Sequence, residues 1–189
     1  MKIGIPKERL SGEERVGLTP AGVGLLAKGG HQCFVESGAG DGAGFNDYDY
    51  ERMGANIVFD AKELYTRSSL ILKVLRPTPE EISWMSDGQT IMCFLGLTQI
   101  PEEELAGLKD RKVTAVAYEM VSPDGRDFPI LKTMSEVAGR LSPYIAGNLL
   151  LRHHGGRGVL LNGVPGISAG EVVIIGAGPG GYNCAIRCG

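Results

Sequence analysis

Apolar and polar positions along this chain change rhythm repeatedly, and the rhythm predicts alternating strands and helices. Short apolar runs at Lys2–Ile5, Gln32–Glu36, Ala55–Val58, Leu70–Leu75, Thr90–Leu95 and Val113–Ala117 have the length and continuity of buried strands. Helical stretches with recognisable start signals lie between them. Thr19-Pro20 places a capping hydroxyl before a first-turn proline, and that helix runs through Val23, Leu25 and Leu26 to stop at Gly29-Gly30. Asp47–Met53 and Asp60–Arg67 are further helices. Thr78-Pro79-Glu80-Glu81 repeats the start signal and adds an acidic residue three positions after the cap. Pro101–Leu108 is the last helix of this series. The alternation predicts an α/β fold: a parallel sheet with helices on both faces.

The pattern changes after the turn at Asp124-Gly125. Ser135–Arg152 has helical apolar spacing at Val137, Leu141, Ile145 and Leu149, interrupted by Pro143, which predicts a kink. His153-His154-Gly155-Gly156 closes this helix, where cations suit the dipole, and His31 reads as a turn residue. A Gly/Pro-rich loop then leads to an apolar strand at Glu171–Ile175 and a helix starting near Tyr182. Residues 1–130 are therefore expected to form one domain. Residues 131–189 are expected to hold a connecting helix and the first strand–turn–helix of a second domain.

Composition changes this picture in one respect. Glycine, at 29 of 189 residues, is about twice the usual share, so tight turns and close backbone approaches are expected. The formal net charge of -3 offers no basic surface of the kind that tracks nucleic acid. No apolar stretch reaches the roughly 20 residues that span a bilayer. The N-terminal residues are too polar for a secretory signal. Cys33, Cys93, Cys184 and Cys188 show no metal-ligand spacing, so a reduced, cytoplasmic protein without a metal is expected.

The candidate chemistry begins at Gly176-Ala177-Gly178-Pro179-Gly180-Gly181. Three glycines at this spacing, after an apolar strand and before a helix, form the dinucleotide fingerprint. Gly176 allows the tight turn, Gly178 the approach of a pyrophosphate, and Gly181 the close packing of helix on strand. A helix N-terminus supplies free N–H groups to the phosphates. The simpler reading is an ordinary Gly-rich strand-to-helix turn. The acidic residue that would hold the ribose, about 20 positions further on, lies beyond Gly189. The 189 residues alone are therefore expected to bind nucleotide weakly and to lack activity.

Several linked segments recur in order: Met1–Arg9, Glu14-Arg15-Val16 with Thr19-Pro20, Gly38-Ala39-Gly40, Leu72-Lys73-Val74, Ala117-Tyr118-Glu119, Met134–Arg140 and Gly163–Gly166. Together they resemble the alanine dehydrogenase and transhydrogenase α-subunit superfamily over essentially the whole chain, and alanine dehydrogenase most. The resemblance implies a Rossmann-like substrate domain, a connecting helix and a nucleotide domain. It also implies NAD as cofactor, with NADP left open, a small amino acid or its 2-keto acid as substrate, and a homo-oligomer. The family's catalytic Asp would lie past Gly189.

By the same resemblance Arg15 matches the residue that grips the substrate carboxylate, a task suited to a guanidinium fork. Read alone, Arg15 beside Glu13 and Glu14 is a solvated cation. Lys73 matches the second substrate-binding cation, an ammonium able to polarise a keto group, and it stands at the end of an apolar strand where α/β proteins place ligand groups. Ser135 matches a contact to the cofactor phosphates and also reads as a helix N-cap. The family's acid/base histidine position is Gly96 here, in Phe94-Leu95-Gly96-Leu97. Glycine supplies no proton, and a positioned acid or base contributes about 10²–10⁴-fold. Two other readings stay open. One is transhydrogenase-like hydride transfer between nucleotides, and the other is a non-catalytic relative that keeps only the fold.

Overall fold

The computed structural model describes residues 1–188, which divide into two compact units, Met1–Val121 and the residues from Ser122 onward. In the first unit strand β1 (Lys2–Ile5) is followed by α1 (Pro20–Lys28), β2 (Gln32–Glu36), α2 (Asp47–Arg52) and β3 (Ala55–Val58). Then come α3 (Ala61–Arg67), β4 (Leu70–Leu75), α4 (Pro79–Trp84), β5 (Thr90–Phe94), α5 (Glu102–Asp110) and β6 (Thr114–Ala117). The six strands form one sheet in the order β3-β2-β1-β4-β5-β6, and every pair is parallel. Strands and helices therefore stand where the hydrophobic rhythm put them.

Side chains alternate between two cores across the sheet, as strand geometry requires. Ile3, Ile5, Cys33, Val35 and Leu72 pack with Val23 of α1 and Tyr50 of α2. Phe34, Ile71, Ile91 and Cys93 pack on the opposite face with Leu64 and Tyr65 of α3, Ile82 of α4 and Leu108 of α5. Gly4 of β1 faces this second layer. A Cβ there would meet Leu64 Cδ2 at 2.8 Å and the Ser68 hydroxyl, so α3 reaches the sheet because position 4 has no side chain.

Local signals account for the helix starts. The Thr19 hydroxyl accepts from Gly22 N in front of Pro20 at α1. Thr78 and Glu81 form a reciprocal capping box at α4, and Asn46 and Asp49 form another at α2.

The second unit departs from expectation in three places. Its long helix, α6, spans Pro129–Leu149, starting at a first-position proline rather than at Ser135 and ending before Arg152. Ser135 thus lies inside the helix and cannot be its N-cap, and the helix continues through Pro143. Glu171–Ile175 is not a strand: among the described residues no backbone pairs with it, and Val173 and Ile175 are 78% and 98% exposed. A strand exists only by pairing, so an apolar sequence without a neighbour stays irregular. Finally, α7 (Pro179–Cys188) starts three residues before Tyr182. Among the described residues no helix is long and apolar enough to cross a membrane, and no cluster of His, Cys, Asp or Glu could hold a metal.

Candidate functional site

The strand order reverses direction between β1 and β4. From β1 the chain winds outward through β2 and β3, and from β4 it winds the other way through β5 and β6. At such a switch point the connecting loops diverge and leave a crevice beyond the strands' carboxyl ends, the usual ligand position in open α/β sheets. The residues near this edge are Lys7, Glu8 and Arg9 after β1, and Lys73 with Val74 in the second half of β4.

Glu8 spans the crevice, with its Oε1 accepting from Val74 N at 2.7 Å. Lys73 lies between two carboxylates: its Nζ donates to Glu81 Oε1 at 2.8 Å and stands 3.2 Å from Glu8 Oε2. All three side chains are almost wholly buried. The network continues outward. Tyr65 Oη donates to Glu81 Oε1 at 2.8 Å, Thr78 N donates to Glu81 Oε2 at 2.8 Å, and Arg9 pairs with Glu36 through two contacts of 2.8 and 3.2 Å.

Glu81 therefore caps α4 and anchors Lys73 with the same carboxylate. Burial pushes its carboxyl upward, but the Lys73 charge and the hydrogen bonds from Lys73, Thr78 and Tyr65 outweigh this and hold it below the usual range. Glu8 goes the other way: burial raises it, and Lys73 and the Val74 N–H only partly offset that. Its Oε2 is buried without a well-formed hydrogen bond, and the Lys73 ammonium stands 3.2 Å from it.

Arg15 is carried by the loop that leads into α1. Glu13 holds it with a fork, Nε to Oε1 at 2.8 Å and NH2 to Oε2 at 2.6 Å, and this keeps the Glu13 carboxyl low. The loop lies directly on β4. A Cβ on Gly17 would sit 2.7 Å from the Leu72 carbonyl carbon and 3.0 Å from Lys73 N, so only glycine allows this approach. Tyr50 Oη donates to Leu18 O at 2.9 Å and fixes the far end of the loop. The Gly-rich loop after β2 backs it, since a Cβ on Gly42 would meet Glu14 Cβ at 2.8 Å. The loop that carries Arg15 thus rests on β4, the strand that carries Lys73. The Arg15 side chain is 51% exposed and that of Lys73 1%, so one cation faces solvent and the other is enclosed.

Gly96 follows β5 on the same carboxyl edge, with φ +60 in the left-handed region. Its N–H donates to Glu119 Oε1 at 2.7 Å, and Leu95 N donates to Glu119 Oε2 at 3.2 Å. The position expected to hold a proton-transfer group is a backbone turn clasped by a carboxylate.

In the second unit the glycine turn runs straight into α7 without the strand expected before it. Gly176 has φ +119, and a Cβ on Gly178 would meet nothing within 4 Å, leaving its approach open. A Cβ on Gly181 would collide with the Gly176 carbonyl oxygen and lie 3.4 Å from Ile174 Cγ2, so the helix closes on the turn only without one. Gly178 O accepts from Tyr182 N at 3.0 Å as the first bond of α7. α6 packs against this turn. Gly139 abuts the Gly180 carbonyl, Arg140 Nε donates to Asn183 Oδ1 at 2.9 Å, and a Cβ on Gly180 would lie 3.4 Å from Ser135 O. Ser135 is therefore beside the turn, but as a mid-helix residue.

The profile described as "Alanine dehydrogenase/PNT, N-terminal domain" matches residues 4–138, and that described as "Alanine dehydrogenase/PNT, C-terminal domain" matches residues 142–188. The chain belongs to the alanine dehydrogenase/PNT family. The alanine dehydrogenase of Bacillus subtilis is 47% identical over 185 residues, and that of Methanococcus maripaludis is 42% identical over 186. Each alignment covers 98% of this chain, but only 48% and 49% of the relative, so the chain spans about half the length of the relatives it matches. A solved L-alanine dehydrogenase superposes with TM-score 0.90 at 43% identity, covering 100% of this chain and 52% of that one. A transhydrogenase from Sinorhizobium meliloti, at 24% identity and TM-score 0.82 with 100% and 55% covered, shares the fold.

Sequence reasoning missed Glu8, Glu119 and the second role of Glu81. A signal for Glu8 exists in its position just beyond the carboxyl end of β1, where α/β folds concentrate ligand groups. Glu119 holds the corresponding place after β6. For Glu81 the capping-box spacing explained the residue completely, so nothing asked for a further partner.

Proposed function

We propose that this chain supplies the substrate-binding unit and the phosphate-binding turn of an NAD-dependent dehydrogenase that converts a small L-amino acid, alanine, reversibly to pyruvate and ammonia. The observation that supports the reading is that the loop bearing Arg15 rests on β4, which bears Lys73, at the switch point of a parallel sheet. Arg15 carries a guanidinium fork, held by Glu13 in this structure, whose geometry suits two parallel bonds with a substrate carboxylate that would take over from Glu13. Lys73, hydrogen-bonded to Glu81, places an ammonium in the buried floor, suited to polarising a 2-oxo group.

The cofactor reading rests on the glycine turn. Gly178 leaves its face open, Gly181 allows the close approach, and the N-terminus of α7 offers N–H groups to a pyrophosphate. Ser135, beside Gly180, is the side chain we assign to the phosphates. A nicotinamide bound through this turn would accept the hydride from the amino acid's α-carbon. NAD and NADP both carry the pyrophosphate that this turn would bind, and a homo-oligomer is expected from the resemblance.

Gly96 favours a second reading, transhydrogenase-like transfer between nucleotides, which needs no substrate acid or base. The two separate in one assay. The dehydrogenase reading predicts NADH oxidation on adding pyruvate with ammonium. It also predicts that Arg15→Ala raises the KM for pyruvate roughly ten- to hundredfold, the loss of one or two charged hydrogen bonds. Indifference to pyruvate, with hydride passing to a second nucleotide, would establish the other.

A further inference from the structure

We propose that Glu8 takes up one proton when a small 2-keto acid binds beside Lys73, making occupancy of the switch-point crevice a proton-coupled event; this rests on the reading of Arg15 and Lys73 given above. The geometry singles out one oxygen. Glu8 Oε1 is committed to Val74 N at 2.7 Å, whereas Oε2 is buried without a well-formed hydrogen bond and lies 3.2 Å from the Lys73 ammonium, which donates to Glu81. A buried carboxylate oxygen without such a bond is costly as an anion and far cheaper as a neutral acid.

The groups facing Glu8 come from every neighbouring element. They are Lys73 on β4, Glu81 on α4, Tyr65 on α3, Cys93 on β5, Tyr118 after β6, Arg15 on the loop before α1, and Arg9 adjacent in the chain. Arg9 is engaged mainly by Glu36 and stands 3.6 Å from Glu81, and Arg15 is engaged by Glu13, so Lys73 is the cation in closest contact with both Glu8 and Glu81.

An incoming monoanion whose oxo group takes an N–H of Lys73 draws that charge away from Glu8 and adds a negative charge nearby. Protonating Oε2 restores the balance. The proton comes from solvent and forms one O–H bond on Oε2, with no bond in the ligand broken and no change of oxidation state. Burial already holds the Glu8 carboxyl above its usual range, in the direction this requires.

The test is calorimetric titration of pyruvate into the chain across neutral and alkaline pH, in buffers of differing ionisation enthalpy. Proton uptake approaching one per site is expected, with Kd weakening by up to about tenfold per pH unit above the Glu8 titration. In Glu8→Gln the uptake and the slope should both disappear. The buffer comparison needs no variant, so it stands even if Glu8→Gln folds poorly. Pyruvate binding with no proton uptake, or a slope that persists in Glu8→Gln, would overturn the inference while leaving the Arg15–Lys73 site standing. No pyruvate binding at any pH would overturn both.

Discussion

Lys73 concentrates most of the local energetics in one side chain. A buried ammonium is tolerable only when its hydrogen bonds and charge are met, and here Glu81 meets the hydrogen bond while Glu8 shares the charge. Truncation by Lys73→Ala would leave two buried carboxylates facing each other, so it should cost about 3–5 kcal/mol in denaturant unfolding at neutral pH. The same variant combined with Glu8→Gln and Glu81→Gln should recover a substantial part of that loss. A Lys73→Ala cost near zero would mean that the ammonium is not buried as described.

The two carboxylates have opposite pH signatures. Glu81, held low, adds stability above its unfolded value near 4.5, and that stability is lost as acid reaches its depressed titration. Glu8, held high, adds stability below 4.5 that is lost as pH rises through its elevated titration. Glu8→Gln should therefore flatten the decline in unfolding free energy on the alkaline side of 4.5 and leave the acid limb in place. Sequence alone could not reveal this pair. The place of Glu8 just beyond β1 marks it as a candidate by itself, but only the strand order β1-β4 brings residue 8 to residue 73.

At the scale of elements, the six strands and the helices between them were legible because each carries its own signal of apolar run, cap or stop. The Thr78–Glu81 capping box is the clearest case, and Thr78→Ala should cost about 1 kcal/mol in thermal or chemical unfolding. It should also loosen the Glu81 contact to Lys73. The start of α6 was misread because Ser135 looked like a cap, while Pro129 gave the true first-turn signal without a capping side chain before it. The apolar run at Glu171–Ile175 predicted a strand correctly by composition and wrongly by outcome, since a ladder needs a partner that the described residues do not supply. The turn that follows does not depend on pairing. Gly181→Ala should drive a methyl into the Gly176 carbonyl and lower the melting temperature of the α6–α7 unit, at a cost of about 1–3 kcal/mol. Gly178→Ala, with open space around it, should leave stability nearly unchanged.

Across the whole molecule, a strand order readable only in three dimensions sets where chemistry can occur. The sheet's single reversal between β1 and β4 gathers Lys73, Glu8 and Glu81 at one edge, and parallel pairing sets Gly96 and Glu119 along that same edge. Family resemblance supplied Arg15 and Lys73 from the sequence, and the fold sets the loop of the first on the strand of the second. The measurement that bears most directly on this account is amide chemical-shift mapping of the isotopically labelled chain during a pyruvate titration. The account predicts saturable shifts centred on Arg15, Val16, Gly17, Lys73 and Val74. Shifts confined to the Gly176–Gly181 turn, or none at saturating pyruvate, would contradict it.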